Sequence, residues 1–169
     1  IKGMVDTALR ELGRSPLSRN CEVPEFKHAC LGGIYALKNA LRFLNSDGRD
    51  AKAIVVCSDI ALYATGSSGE PTQGAGAVAM LLEANPTIAS IELDHAGSAS
   101  DYRGVDFRKP IQYRNGDGRE HACSNVPVFN GRYSASCYID EMWQALEDMC
   151  KRRAINVHTY VNNVDAVFM

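Results

Sequence analysis

Ala53-Ile54-Val55-Val56-Cys57 is an uninterrupted apolar run, and its reading decides the fold class. Such a run fits a strand buried on both faces of a sheet. Asp59 and Tyr63 lie just beyond its end, where α/β sheets place ligand-binding groups. Thr65 to Gln73 reads as a loop rich in Gly and Ser. Ala75 to Leu82 is a second buried strand, closed by Glu83-Ala84-Asn85-Pro86. Ile88 to Leu93 alternates in the manner of a half-buried strand.

Upstream of the decisive run, a helix is expected from Cys30. Its stripe is Ile34, Leu37, Leu41 and Leu44, and Asn45-Ser46-Asp47-Gly48 stops it. Met4, Val5, Ala8, Leu9 and Leu12 mark an earlier helix that Gly13 ends. Val23 to Phe26 contains Pro24 and reads as an edge or irregular strand. Downstream, residues 94–127 form a long, mostly polar connection, a kind that is usually functional or mobile. A last helix is expected near Tyr138 to Arg153, with Ile139, Met142, Trp143, Leu146 and Met149 inward. Ala166 to Met169 reads as the start of another strand. Strands and helices intermix, so the class is α/β or mixed.

Composition narrows the function. The 169 residues carry 18 basic and 20 acidic groups, a net charge of −2 that draws the chain neither to nucleic acid nor to anionic membrane. No apolar run reaches the roughly 20 residues that span a bilayer. Ile1-Lys2-Gly3 opens straight into an amphipathic pattern with no secretory signal, and the absent initiator Met points to a start upstream. Six cysteines lie scattered without a CxxC pair, which argues against a zinc ribbon. The expectation is a reducing cytoplasm and free thiols.

Cys30 is the first candidate for chemistry. A helix N-terminus presents free N–H groups and partial positive charge, which favour a thiolate. Gly32-Gly33 removes side chains beside it, so substrate or another segment can approach. That is the layout of an activated nucleophile. The alternative is a structural Cys beside a tight packing contact. Gly74-Ala75-Gly76 at a strand start marks a bulge or a close backbone approach, and alone it is as readily structural. The alternative for Asp59 is a helix N-cap or turn Asp, which is the commoner role. Asp106 and Phe107 form a site pair or a turn. His28 shares a face with Cys30 only if the segment is a strand. His95, His121 and His158 read as solvated surface residues. No metal-ligand spacing or phosphate loop is present.

Together these segments resemble a known family. Phe26-Lys27-His28-Ala29-Cys30-Leu31-Gly32-Gly33 resembles the nucleophile segment of the thiolase superfamily. Ser58-Asp59-Ile60-Ala61-Leu62-Tyr63 is similar to the motif after the strand in 3-hydroxy-3-methylglutaryl-CoA synthases. The stretch from Gly69 to Leu82 resembles their glycine-rich strand. Asp106-Phe107-Arg108-Lys109-Pro110, Asn130 to Ser134 and Cys137-Tyr138 are similar to their linker and the helix after it. The resemblance covers most of residues 23–169, in order.

That resemblance implies a thiolase-like α/β fold. Residues 1–93 would be the end of its first half, 94–137 a linker contributing to the acyl pocket, and 138–169 the start of its second half. It implies that Cys30 takes an acetyl group from acetyl-CoA as a thioester. The acetyl carbanion then adds to the ketone of an acetoacetyl thioester, and water releases the product. Asp59, Tyr63, Thr72, Gly74, Gly76, Asp106, Phe107 and Ser134 match substrate-binding positions. CoA thioesters are substrates, with no cofactor or metal, and the family works as a homodimer. A variant in polyketide β-branching takes its acyl groups from an acyl carrier protein. Leu31 stands where the family has an aromatic residue. The family's general-base Glu would precede Ile1 and its His would follow Met169, so the chain reads as an internal slice. Two other readings are a non-catalytic fragment of the fold and a decarboxylating ketoacyl-synthase-like enzyme.

Overall fold

The computed structural model describes residues 1–103, 113–114, 120–121 and 131–166. The chain divides into two compact units, Ile1–Cys57 with Ala79–Asn85 and Ser58–Val78 with Pro86–Met169.

In the first unit, helix α1 spans Lys2–Glu11. Gly13 ends it as expected, with φ of +67°, a conformation that costs glycine little. Its amide donates to the Arg10 carbonyl at 2.9 Å and Arg14 N–H to the Leu9 carbonyl at 2.7 Å, the paired bonds of a Schellman cap. Asp6 fastens the next loop to this helix. It pairs with Lys2 at 2.7 Å and accepts from the Leu17 amide at 2.8 Å.

Helix α2 spans Gly32–Leu44 and starts two residues later than the sequence suggests. The reason is a turn, in which Gly32 N–H donates to the Ala29 carbonyl at 3.0 Å, so Cys30 belongs to the turn. Leu44 is buried, and Leu37 and Leu41 are half-buried, but Ile34 is 50% exposed. Val55 is the other buried aliphatic residue of this unit.

Strand β1 covers Ala53–Ala61 and pairs with β2, Gly74–Leu82. Lys52, before β1, meets Glu83, after β2, at 2.6 Å, as in an antiparallel pair. The expectation of strands buried on both faces fails. Val55 alone is buried in β1, Val56 is 50% exposed, and β2 has no buried residue. A two-stranded sheet cannot cover two apolar faces by itself, and among the described residues no third strand joins it.

Two further expected strands are absent, and for a related reason. Residues 21–28 and 88–93 carry no sheet pairing. Pro24 lacks a donor for a ladder. Ile88 is 99% exposed, so alternation there buries nothing.

The second unit is built on helix α3, Gly131–Arg152. It begins seven residues before the expected Tyr138. Arg132 to Ser136 already belong to the helix. Cys150 is its buried residue, and Leu146 and Met149 are half-buried. Ile139, Met142 and Trp143, expected inward, are exposed. Tyr113–Arg114 (β3) and Glu120–His121 (β4) form a short antiparallel pair. Helix α4, Val157–Val161, is capped by Asn156, whose side chain accepts from the His158 amide at 2.9 Å. The expected strand at Ala166–Met169 falls mostly outside the described residues, and Ala166 itself is not in a strand.

A strap of chain, residues 97–103, runs antiparallel to α3. At the helix's C-terminal half, Ser98 N–H donates to Asp148 at 3.0 Å. Toward its start, Arg103 pairs with Asp140 and, at 2.8 Å, with Glu141. Tyr133 Oη donates to the Arg103 carbonyl at 2.9 Å. The hydrogen bond from Arg103, helped by Gln144, holds the Asp140 carboxyl below the ordinary value of 3.8. The Ser98 amide and then Arg152 do the same for Asp148. Lys2 and the Leu17 amide do so for Asp6.

The sign of the pH dependence follows. A carboxyl held low in the folded state stabilises it above the unfolded pKa, and that contribution goes as pH falls through the folded value. Stability should therefore be flat from neutrality down to about pH 5 and decline below about pH 4. Thermal melts followed by circular dichroism between these values check it. Replacing Asp140 and Asp148 by Asn should flatten the acid decline.

Candidate active site

Cys30 sits on the Ala29–Gly32 turn at the mouth of α2 and is exposed. Three contacts in the first unit frame that turn. Gly32 is buried, and an added Cβ there would stand 3.7 Å from the Phe26 carbonyl and 3.8 Å from His28 Cβ. The His28 and Tyr35 rings meet edge to face, with centroids 5.0 Å apart. That contact gives His28 a packing role of its own. At Gly33, an added Cβ would lie 2.7 Å from Cys57 Sγ. Gly33 thus lets the helix start approach β1 with Cys57 Sγ close to where a Cβ would stand, whereas at Gly32 a Cβ would make only ordinary contacts. Leu31 is the residue before the helix, and it is 49% exposed.

The other described candidates belong to the second unit. Asp59 lies within β1 rather than past its end, because the strand runs to Ala61. It is exposed, and its Oδ1 accepts from the Ile60 amide at 2.8 Å. Tyr63 follows two residues after the strand and is half-buried.

The loop from Tyr63 to Gln73 is held by its own side chains. Gly66 has φ of +77°, and its amide donates to Glu70 at 2.7 Å. Glu70–Thr72 is one turn of 3-10 helix, started by Pro71. Thr72 Oγ1 donates to the Gly69 carbonyl at 2.7 Å, and the Gln73 side chain accepts from the Tyr63 amide at 3.3 Å. Gly69 is buried beneath Tyr63, whose ring would lie 2.5 Å from an added Cβ. The loop therefore brings Tyr63 and Thr72 together around Gly69.

Gly74 and Gly76 open β2, and a Cβ at either would meet nothing within 4 Å. The close approach that glycine suggested is not made by the described residues of this chain. Ser134 sits in the first turn of α3, half-buried, beside Tyr133. Asp106 and Phe107 lie outside the described residues. Sequence reasoning missed Arg103, Gly33's contact with Cys57, and Gly97. Arg103 carries no local signal of its contact with α3, since its partners on that helix are 37 and 38 residues away.

Comparison with known proteins now adds to this geometry. The N-terminal family profile of hydroxymethylglutaryl-coenzyme A synthase matches residues 3–87, half the chain. The chain belongs to the hydroxymethylglutaryl-CoA synthase family. A relative from Gibberella zeae, hydroxymethylglutaryl-CoA synthase ERG13, is 38% identical over 154 residues, covering 87% of this chain and 30% of the relative. A solved structure described as MvaS in complex with 3-hydroxy-3-methylglutaryl coenzyme A superposes with a TM-score of 0.70 at 29% identity. It covers 98% of this chain and 35% of that one. The curacin biosynthetic pathway HMG synthase in complex with acetyl donor-ACP gives a TM-score of 0.68 at 28% identity, covering 88% and 33%.

The fold is thus the thiolase-like α/β fold of the hydroxymethylglutaryl-CoA synthases, in part. The chain spans about a quarter to a third of the length of these relatives. No helix among the described residues is long and apolar enough to cross a membrane.

Proposed function

We propose that this chain carries the nucleophile segment and part of the acyl pocket of a hydroxymethylglutaryl-thioester synthase. The observation that supports this most is Cys30, exposed on a hydrogen-bonded turn ahead of Gly32-Gly33 and helix α2, in a member of this family. The Cys30 thiolate attacks the acetyl-CoA carbonyl and CoA leaves as its thiol, giving an acetyl thioester. Backbone N–H groups at the turn and helix start stabilise the oxyanion. Loss of a methyl proton gives a carbanion that adds to the ketone of acetoacetyl-CoA. The new alkoxide takes up a proton, and water splits the Cys30 thioester to release 3-hydroxy-3-methylglutaryl-CoA. The resemblance matches no residue of 1–169 to the proton acceptor.

Asp59, Tyr63, Thr72, Gly74, Gly76, Asp106, Phe107 and Ser134 orient the acyl groups by shape and hydrogen bonding. In this reading residues 1–93 end the first half of the fold, 94–137 link the halves, and 138–169 begin the second. A homodimer is its working form. The five cysteines among the described residues are free, which fits a reducing compartment such as the cytoplasm. Named relatives include a cytoplasmic form in Gallus gallus and a mitochondrial form in Sus scrofa.

A second reading has a specific support. Solved relatives include one bound to an acetyl-loaded donor carrier protein and PksG of Bacillus subtilis, and Leu31 departs from the aromatic residue expected beside the nucleophile. In that reading the donor and acceptor are tethered to carrier proteins, and the chemistry is unchanged.

The test supplies the protein carrying this sequence with acetyl-CoA and acetoacetyl-CoA, or with the acetyl and acetoacetyl forms of a carrier protein. Product is followed by mass spectrometry. Product from the CoA pair supports the first reading, and product only with the carrier supports the second. No condensed product from either pair overturns both.

A further inference from the structure

Resting on the reading of Cys30 as the nucleophile, we propose that Cys57 is a positioning residue, whose thiol sets the distance between the Cys30 turn and strand β1. The turn is fixed to its own helix by local contacts, Gly32 N–H to Ala29 and His28 against Tyr35. Those contacts fix its shape and leave its height above the sheet undetermined. That height is set where Gly33 rests on Cys57. An added Cβ at Gly33 would meet Cys57 Sγ at 2.7 Å, whereas the next nearest atom, Cys57 Cβ, is 3.9 Å away. A single sulfur atom therefore accounts for the whole of the steric demand for glycine. Cys57 is half-buried in β1 and is packed against the helix start on this side. A larger side chain at 57 lifts the turn, and a smaller one lets it sink. Either change moves the Cys30 turn, carried with its helix, relative to β1, and so alters the surroundings of the thiol and the rate at which it reacts.

The two distances make a reciprocal prediction. Gly33→Ala, which by helix propensity alone is favourable, sets a methyl against Cys57 Sγ and drives the sulfur and the turn apart. Adding Cys57→Ala removes the sulfur and leaves an ordinary contact, so the double variant returns to the wild-type arrangement. The readout is the rate at which iodoacetamide alkylates Cys30, measured peptide by peptide against exposed Cys21 across pH 6 to 9, with folding followed by circular dichroism.

Gly33→Ala should change the Cys30-to-Cys21 ratio by about threefold or more and displace its pH profile. The double variant should return it to within about twofold of wild type. A ratio indifferent to Gly33→Ala overturns the proposal, and so does one that Cys57→Ala fails to restore. Should Gly33→Ala not fold, Cys57→Leu replaces it. That variant must alter the ratio while near-isosteric Cys57→Ser keeps it, and an unaltered ratio in Cys57→Leu overturns the proposal. Acetyl uptake from acetyl-CoA by the wild-type protein is scored separately. Uptake at Cys30 with an indifferent ratio removes only the positioning role. A responsive ratio without uptake keeps the spacing role and removes the nucleophile.

Discussion

On the reading proposed above, Cys30→Ala should end acyl transfer from acetyl-CoA, and with it the formation of any condensed product. Removing a covalent nucleophile leaves no partial route to the thioester, so the loss in rate is on the order of 10⁴-fold or more. The wild-type protein should gain one acetyl equivalent, placed by peptide mapping on Cys30, and the variant none. Cys21 is also exposed, but it lies in an irregular stretch rather than at a helix start, and it serves as the internal control. Cys30→Ser adds a finer test. A hydroxyl at the same place is a far weaker nucleophile near neutrality, so the serine variant also fails to turn over. Both substitutions remove or exchange one exposed atom on a turn, so folding should be unchanged, within about 0.5 kcal/mol. Acetyl uptake that persists in Cys30→Ala, at any other residue, would sink the assignment.

The way Cys30 is held shows which readings of the sequence carry into the candidate site. A thiol two residues before a glycine pair and an amphipathic helix is a local pattern, and local patterns survive into structure. The cap at Gly13, the stop after Leu44 and the two nine-residue strands survive for the same reason. What failed depends on distant partners. The apolar runs at Ala53 and Ala75 state that these strands seek cover, and a run cannot say whether the cover lies within the same 169 residues. Val56 at 50% and Val78 at 59% exposure are the consequence. Alternation at Ile88–Leu93 and the extended composition at Val23–Phe26 likewise predict strands only where a neighbour supplies the ladder. At the Tyr63–Gln73 loop the glycines were visible, but the pairing of Gly69 with the Tyr63 ring needed coordinates. The strap on α3 was the least legible of all, since Arg103 must find Asp140 and Glu141 across a long polar connection.

Gly97→Ala reverses the usual sign of a glycine-to-alanine change in that strap. The backbone at Gly97 does not require glycine, since Gly13 and Gly66 are the glycines with positive φ among the described residues. On conformational entropy alone alanine would stabilise the fold by about 0.4–1 kcal/mol. Space decides otherwise. An added Cβ would run into the Ala145 carbonyl oxygen, and it would stand 2.6 Å from Met149 N and 2.8 Å from Met149 Cβ. Two of these are backbone atoms inside α3, which cannot rotate away as a side-chain tip can. The strap must lift, and lifting it breaks the hydrogen bond from Ser98 N–H to Asp148. Overpacking and the lost bond together cost about 3 kcal/mol. For a chain of this size that lowers the melting temperature by roughly 6–12 °C. The same event has an electrostatic signature. The Ser98 amide is the largest cause of the lowered Asp148 pKa, so in the variant this carboxyl titrates closer to the ordinary 3.8. Gly3→Ala supplies the control, because Gly3 is inside α1 with nothing within 4 Å of an added Cβ. There the helix propensity of alanine acts unopposed, and stability rises by up to about 1 kcal/mol. Melts of both variants, with the Asp148 titration followed by nuclear magnetic resonance, decide the matter. A Gly97→Ala protein as stable as Gly3→Ala would mean that the strap does not bear on α3 through this glycine.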